Sequence, residues 1–273
     1  MVKIGLALGG GGVRGLALIP MLEVFDELGI RPHRISGTSL GAVIGALYAS
    51  GMSAVAIREW AGELLRGDTR RKAPALRAML RWIEFKDLEF GAQGLFRGDR
   101  FMALLQEVMG VTRFEQLAIP LRIVATDFWL SKQVVIEAGD LMPAIRASMS
   151  LPGLFTPARL NGRILIDGAG VNPVPHDVLT ECDVVVAIDL MGHMDPGRRE
   201  KPHLFRSIMG IFDIMQKAII EAKLKACPPT LYIKPDIYNV DILDFDKVTQ
   251  VLRQAAPARD QLRSGLESIL AVN

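Results

Sequence analysis

Residues 9–15 read GGGGVRG, and residues 37–41 read GTSLG. The first stretch follows the apolar run 2–8, which predicts a buried strand, and leads into apolar positions at helical spacing over 14–28. The second stretch follows a short predicted strand at 33–36 and leads into an apolar helix. Each motif therefore joins a strand to a helix, which is the repeating unit of parallel α/β sheets.

The remaining chain continues this alternation of strands and helices. Further strands are predicted at 121–127, 133–138, 163–167, 184–190 and 230–234, and further helices at 99–109, 141–148, 203–225 and within 240–271. Residues 66–98 are less regular and rich in arginine, which makes them a candidate lid. Because no internal repeat and no Ser-, Gly- or Pro-rich linker divides the chain, the pattern predicts one α/β domain with a mostly parallel sheet.

The composition excludes several classes of protein. The chain has 273 residues and a net charge of +2, and no basic stretch is interleaved with aromatic residues, so a nucleic-acid partner is not expected. Cys182 and Cys227 are far apart and form no CxxC pair, which argues against a disulfide framework and against a zinc site. The apolar N-terminus lacks the length and cleavage site of a signal peptide, so a cytoplasmic chain is expected.

The glycine run can build an anion receptor. Consecutive glycines can turn several backbone N–H groups toward one point, and the following helix N-terminus adds partial positive charge. Such a receptor would hold a phosphate or the oxyanion of an acyl-transfer transition state. Gly10–Gly15 also fit the GxGxxG pattern of dinucleotide-binding domains, but the second strand ends in Ser36 where that pattern needs an acidic residue. A nucleotide-binding domain therefore remains the weaker alternative.

The GTSLG stretch has the form of a nucleophile elbow. In that motif a serine lies at a sharp turn between a strand and a helix, and flanking glycines avoid collisions as the chain folds back. Ser39 is then the nucleophile, with Gly37 and Gly41 on either side. A serine that merely caps the helix is the simpler alternative. Together, the elbow and the glycine run favour nucleophilic catalysis, because an attacking serine needs an oxyanion receptor nearby.

The residues alone leave the general base open. His176 follows Asp167 in the order that α/β-hydrolases use, but it lies in a Pro-rich turn. Carboxylates at predicted strand ends are the alternative, namely Asp127, Asp167 and Asp189. Asp167 is distinguished by the small turn that begins at Gly168 and that could direct its side chain toward a neighbouring strand end.

With these motifs in place, the chain resembles the patatin-like phospholipases, and most of all their bacterial branch related to the neuropathy target esterase type. The similarity includes GGGGVRG, GTSLG, GLFRGDR (94–100), IPLRIVATD (119–127), AIRASMSLPGLFTP (144–157) and DGAGVNPVP (167–175). The resemblance covers roughly residues 2–190. It implies a three-layer α/β sandwich with a mostly parallel central sheet, and we expect a single patatin-like domain over 1–273, with residues 195–273 packed on it.

The resemblance also implies the chemistry. It implies a Ser39–Asp167 dyad without a catalytic histidine, and it implies no metal and no cofactor. The backbone N–H groups of Gly10, Gly11 and Gly12 would form the oxyanion hole, and Arg14 would lie near it rather than in it. The implied activity is that of a serine lipid acyl hydrolase acting on phospholipids, lysophospholipids or simple esters. A non-catalytic, lipid-binding regulator on the same fold is the remaining alternative.

Apolar residues are the candidates for contact with lipid. The candidates for an acyl groove are Met52, Met79, Trp82, Phe85, Leu95, Phe96, Met149, Leu151, Leu154 and Phe155. The apolar side of helix 203–225 allows two arrangements, packing on the sheet, which is favoured, or lying on a membrane surface. Peripheral contact at the inner membrane face thus stays open. The sequence makes no prediction of the oligomeric state.

Overall fold

The fold is centred on one eight-stranded sheet in the computed structural model, which describes residues 2–66, 98–193, 201–202 and 204–272. The strands are β1 (Ile4–Leu8), β2 (Arg34–Thr38), β3 (Leu121–Asp127), β4 (Lys132–Ile136), β5 (Ala158–Leu160), β6 (Arg163–Asp167), β7 (Val184–Ile188) and β8 (Leu231–Ile233). They lie in the order β5-β6-β3-β2-β1-β7-β8, with β4 also paired to β3. The run from β3 to β8 is parallel, whereas β4, β5 and β6 join by antiparallel pairing.

Helices cover both faces of this sheet. They are α1 (Leu18–Glu27), α2 (Leu40–Ala49), α3 (Ala54–Arg66), α4 (Asp99–Met109), α5 (Leu141–Ser148), α6 (Leu204–Ala226) and α7 (Val248–Val272). Strand β1 shows the two layers, because Leu6 and Leu8 join the large core with α1 and α2, while Ala7 faces the opposite cluster that contains Ile220 of α6. The predicted fold, a central sheet flanked by helices, is therefore confirmed.

Several predicted boundaries change. Strand β2 continues to Thr38, so the turn at Ser39 begins directly at its end. The first helix starts as a 3-10 turn over Gly12–Ala17 and becomes α-helical only at Leu18. The three-residue strand β5 was not predicted, since its apolar content is too low to give a pattern. The candidate lid falls almost entirely on 67–97, which lie outside the described residues.

The C-terminal segment, residues 204–272, packs against the N-terminal half of the chain. Buried residues of α7 recur at helical spacing and contact α1 and the 3-10 turn, and they are Val251, Ala255, Ala258, Leu262 and Leu266. Arg259 and Arg263 both bind the Glu27 carboxylate at the end of α1. Ahead of α7, the Ile242 carbonyl accepts a hydrogen bond of 2.8 Å from the N–H of Val13. The C-terminal segment therefore helps to hold the glycine-rich turn in place.

Candidate active site

Ser39 lies at the sharp turn between β2 and α2. Its φ of 55° and ψ of −124° place a non-glycine residue in a sparsely populated backbone region. The neighbouring glycines make this turn possible. A Cβ on Gly37 would lie 2.6 Å from the Gly41 carbonyl oxygen, and one on Gly41 would lie 2.5 Å from the Gly9 carbonyl oxygen. The backbones at Gly37 and Gly41 therefore lie so close to neighbouring backbone that neither position has room for a side chain.

Strand β3 brings the second member of the site beside this turn. Thr38 of β2 is in register with Val124 of β3, and Asp167 of β6 is in register with the next residue, Ala125. The two strand ends thus meet along β3. As a result the Ser39 hydroxyl donates a hydrogen bond of 2.7 Å to Oδ2 of Asp167.

Asp167 lies in an environment that changes its acidity. Its side chain is 3% exposed, and burial raises its pKa from 3.8 to about 6. Hydrogen bonds to the carboxylate from the N–H of Ala169, at 2.9 Å, and from the Ser39 hydroxyl oppose this shift. A carboxylate with a pKa near neutrality is a better proton acceptor than an ordinary aspartate, for which the value is about 3.9.

Ser148, at the end of α5, also fixes the turn at Ser39. The Ser148 hydroxyl accepts a hydrogen bond of 2.9 Å from the N–H of Ser39 and donates one of 2.6 Å to the Val124 carbonyl. The Thr126 hydroxyl donates to the Asp167 carbonyl at 2.8 Å in the same way. These contacts hold the backbones of Ser39 and Asp167. Both residues lie in stretches that resemble the family, 144–157 and 119–127, but only the folded chain shows which backbone groups they contact.

The glycine-rich turn lies against Ser39. A Cβ on Gly10 would be 3.3 Å from the Cβ of Ser39. The N–H of Gly10, however, donates a hydrogen bond of 2.9 Å to the Pro173 carbonyl, so the expectation for Gly10 is revised and this group is engaged. Within the described part of the chain, the N–H groups of Gly11 and Gly12 have no acceptor, and both glycines line the same pocket as Ser39.

Arg14 supports this turn from behind. Its side chain is buried, and its Nε donates a hydrogen bond of 3.1 Å to the Gly11 carbonyl. The carbonyl of Gly11 and the N–H of Gly12 belong to one planar peptide, so fixing the first also fixes the second. The guanidinium of Arg14 further reaches Asp213 of α6 at 3.5 Å.

A pocket of about 100 Å³ opens beside the serine. Of the acyl-groove candidates, Met149, Leu151, Leu154 and Phe155 line it. Met52 lines a different pocket, so that expectation was wrong, and the candidates between 79 and 96 lie outside the described residues. The wall opposite the strands was not predicted and comes from the C-terminal segment, through Gln216, Ile242, Leu243 and Phe245.

The other candidate bases lie away from Ser39. His176 is buried, and its two ring nitrogens face the carbonyls of Val174 and Cys227. Asp127 accepts a hydrogen bond from the N–H of Leu130, and Asp189 accepts one from the hydroxyl of Tyr232. Each side chain thus has its own structural partners, whereas Asp167 bonds to the serine hydroxyl.

Residues 6–180 match the family model described as patatin-like phospholipase. An uncharacterised NTE family protein of Mycobacterium tuberculosis is 32% identical over 223 residues, which are 78% of this chain and 58% of that protein. Human patatin-like phospholipase domain-containing protein 6 is 34% identical over 191 residues, 68% of this chain and 13% of that protein. This chain thus spans less than two thirds of the length of either relative.

Solved structures show the same fold at low sequence identity. VipD from Legionella pneumophila matches with a TM-score of 0.53 and 14% identity, covering 96% of this chain and 67% of VipD. Among the residues described here, no helix has the length and apolar content needed to cross a membrane.

Proposed function

The chain belongs to the patatin-like phospholipase family, and on that premise we propose that it is a serine lipid acyl hydrolase. It would cleave fatty acyl esters as a carboxylic ester hydrolase in the cytoplasm, with peripheral contact at the membrane. The observation that carries the proposal is the 2.7 Å hydrogen bond from the Ser39 hydroxyl to the buried Asp167 carboxylate. It pairs a nucleophile with a base at a strained strand-to-helix turn, the arrangement that acyl transfer by serine requires.

In the first half-reaction, Oγ of Ser39 attacks the ester carbonyl while Asp167 accepts the hydroxyl proton. The bond to the leaving alcohol breaks as Asp167 returns that proton to the alcohol oxygen, and an acyl-Ser39 ester remains. In the second half-reaction, Asp167 takes a proton from water and the hydroxide attacks the acyl carbon; the bond from that carbon to Oγ then breaks, the fatty acid leaves, and Asp167 returns the proton to Oγ. The raised pKa of Asp167 suits a group that must both accept and donate a proton.

The N–H groups of Gly11 and Gly12 would stabilise the negative charge on the carbonyl oxygen. Both lie at the pocket beside Ser39, and the start of α2 directly after Ser39 adds the positive end of a helix dipole. Losing one such donor costs roughly 10²–10³ in rate. Leu151, Leu154, Phe155 and Phe245 give the pocket the apolar lining that a fatty acyl chain needs.

Labelling with a fluorophosphonate probe, together with turnover of p-nitrophenyl esters, tests this proposal. Wild type should label and hydrolyse, Ser39→Ala should lose both, and Asp167→Asn should lose turnover. Asp127→Asn is the matched control, because Asp127 is also a buried carboxylate at a strand end but does not contact Ser39. A folded wild-type protein that neither labels nor hydrolyses any ester would overturn the proposal in favour of a non-catalytic lipid-binding protein.

A further inference from the structure

The hairpin between β3 and β4 carries exposed apolar side chains at its tip. Phe128 is 48% exposed, Trp129 is 76% exposed and Leu130 is 59% exposed. The tip continues directly from the carboxyl end of β3, and the same end of β2 leads into Ser39. The three apolar residues therefore project beyond the edge of the sheet at which the active site lies.

The outward face of α6 is the second exposed apolar surface. Its side chains are 48% to 73% exposed, and they are Leu204, Ile208, Ile211, Ile214 and Met215. They recur at helical spacing, so they lie on one side of the helix. Toward its C-terminus the helix becomes charged on its exposed side, with Glu221 and Lys225. The apolar face is thus confined to the first half of α6.

The packing of α6 shows where that half lies. Ile220 belongs to the buried cluster that contains Ala7 of β1. Lys223, three residues further along α6, binds Asp177. The 16 residues from Ile220 back to Leu204 correspond to about 24 Å of helix. Because Gln216 lines the active-site pocket, the preceding apolar turns extend past the pocket and beyond the carboxyl edge of the sheet.

Cationic side chains lie near the hairpin tip. Lys132 follows the tip, and Arg159 and Arg163 lie on the antiparallel strands β5 and β6 nearby, all of them exposed. Neither 128–132 nor 158–163 contains an Asp or Glu residue, and the carboxylate directly before the tip, Asp127, is buried and lies 3.9 Å from Arg163. Aromatic side chains at a tip, backed by cations, are suited to the interface of an anionic bilayer, where rings lie at headgroup depth and cations meet phosphates.

We propose that Phe128–Leu130 and the apolar face of α6 together form a docking surface for an anionic lipid bilayer. This inference rests on the proposed function, because it presents the pocket to a membrane that contains the substrate. The pocket adjoins both elements, because Gln216 of α6 lines it and β3, which carries the hairpin, pairs with the strands that end at Ser39 and Asp167, so a bilayer on both surfaces would deliver a lipid to Ser39. A protein partner that covered both projections would instead close the pocket.

Vesicle flotation tests the docking surface with the full chain. The probes are vesicles of phosphatidylcholine alone and of phosphatidylcholine with phosphatidylglycerol. Wild type should bind the anionic vesicles more tightly, and Trp129→Ser and Ile211→Ser should each lower the partition coefficient about tenfold, since each removes a large apolar side chain from the contact. Val55→Ser and Leu270→Ser are the matched controls, because these exposed apolar residues lie on α3 and α7. Both should bind within about twofold of wild type.

The outcomes separate docking from catalysis. Turnover of a soluble short-chain p-nitrophenyl ester should be unchanged in both docking variants, whereas turnover of vesicle lipid should fall with binding. Failure of wild type to bind either vesicle would overturn the docking surface even if Ser39 labels. Binding that neither variant weakens would also overturn it. A dimer that Ile211→Ser dissociates would show that a second copy covers this face, and would overturn it as well.

Discussion

The two walls of the candidate active-site pocket are built in different ways. One wall consists of strand ends and tight turns, and it presents Ser39, Asp167 and the N–H groups of Gly11 and Gly12. The other wall comes from the C-terminal segment, through Gln216, Ile242, Leu243 and Phe245. Backbone geometry restricts nearly every residue of the first wall, whereas the second wall consists of side chains that reach the pocket, three of them apolar and one, Gln216, polar.

This difference predicts separate consequences for the two walls. Changes in the first wall should abolish folding or chemistry, because no substitute fits between touching backbones. Changes in the second wall should alter which acyl chains are accepted while the chemistry continues. Arg14 is the test case between them, since it holds the Gly11 carbonyl on one side and reaches Asp213 of α6 on the other.

The largest effect is expected for Gly41→Ala. The new methyl group would overlap the carbonyl oxygen of Leu8 and lie 2.5 Å from that of Gly9, and neither backbone can move without disturbing β1. We expect little or no folded protein, measured as soluble yield and cooperative thermal unfolding. Gly210→Ala is the control, because nothing lies within 4 Å of the added Cβ in α6. A Gly41→Ala protein that melts like wild type would show that the first wall tolerates change.

Arg14→Leu should mainly lower kcat. Without its hydrogen bond to the Gly11 carbonyl, the peptide that carries the Gly12 N–H loses its fixed orientation, and we expect a loss of roughly 10² in kcat with KM nearly unchanged. Steady-state kinetics on a soluble ester, with circular dichroism to verify folding, measures this split. Asp213→Asn, which leaves the Gly11 contact in place, should have a smaller effect. A rise in KM alone would assign Arg14 to substrate binding.

Phe245→Ala should change chain-length preference. Shortening this side chain removes apolar contact from the C-terminal wall, so kcat/KM for a long-chain p-nitrophenyl ester should fall about tenfold, while that for a short-chain ester changes by less than about twofold. Leu270→Ala serves as the control, since Leu270 is exposed on α7 away from the pocket. Equal losses for both esters would mean that the second wall contributes to the chemistry itself.

The pH dependence of kcat/KM should report on Asp167. Burial raises its pKa to about 6, so below that pH the carboxyl holds a proton and cannot accept one from Ser39. We expect kcat/KM to fall about tenfold per pH unit on the acid side and to level off above the pKa. Asp127→Asn should leave the profile unmoved. A profile that stays flat down to about pH 5 would show that the working base is more acidic than this environment implies.

The sequence predicts most of the first wall, because a strand, a tight turn and a helix follow from local patterns around GTSLG. The long-range contacts were not readable in this way. Ser148 and Thr126 lie in stretches that resemble the family, but they act through hydrogen bonds to backbone groups that are distant in the sequence, and local patterns do not predict such contacts. Engagement of the Gly10 N–H by Pro173 depends likewise on a turn that is distant in the sequence.

The sequence did not predict the second wall, for a different reason. Apart from Gln216 on α6, its residues are ordinary apolar side chains, and the sequence predicts only helices within 240–271. Their place at the pocket depends on α7 packing against α1 and on the hydrogen bond that joins Val13 to Ile242. Such placement is a property of the assembled fold, so helical periodicity alone predicts the element but not what it lines.

The smallest effect is expected in the stability of the elbow itself. Ser39 holds φ at 55° although it is not glycine, and strain of this kind costs on the order of 1 kcal/mol or more. The free energy of unfolding of Ser39→Gly should therefore exceed that of Ser39→Ala by about 1 kcal/mol, because glycine adopts this conformation without strain. Denaturant titration of the two variants measures this difference. Both variants lack the hydroxyl, so the comparison isolates the backbone from the hydrogen bond to Asp167. If Ser39→Ala is equally stable, the turn carries no stored strain, and the hydrogen bonds that wild-type Ser39 donates to Ser148 and Asp167, rather than the backbone geometry, set the position of its hydroxyl.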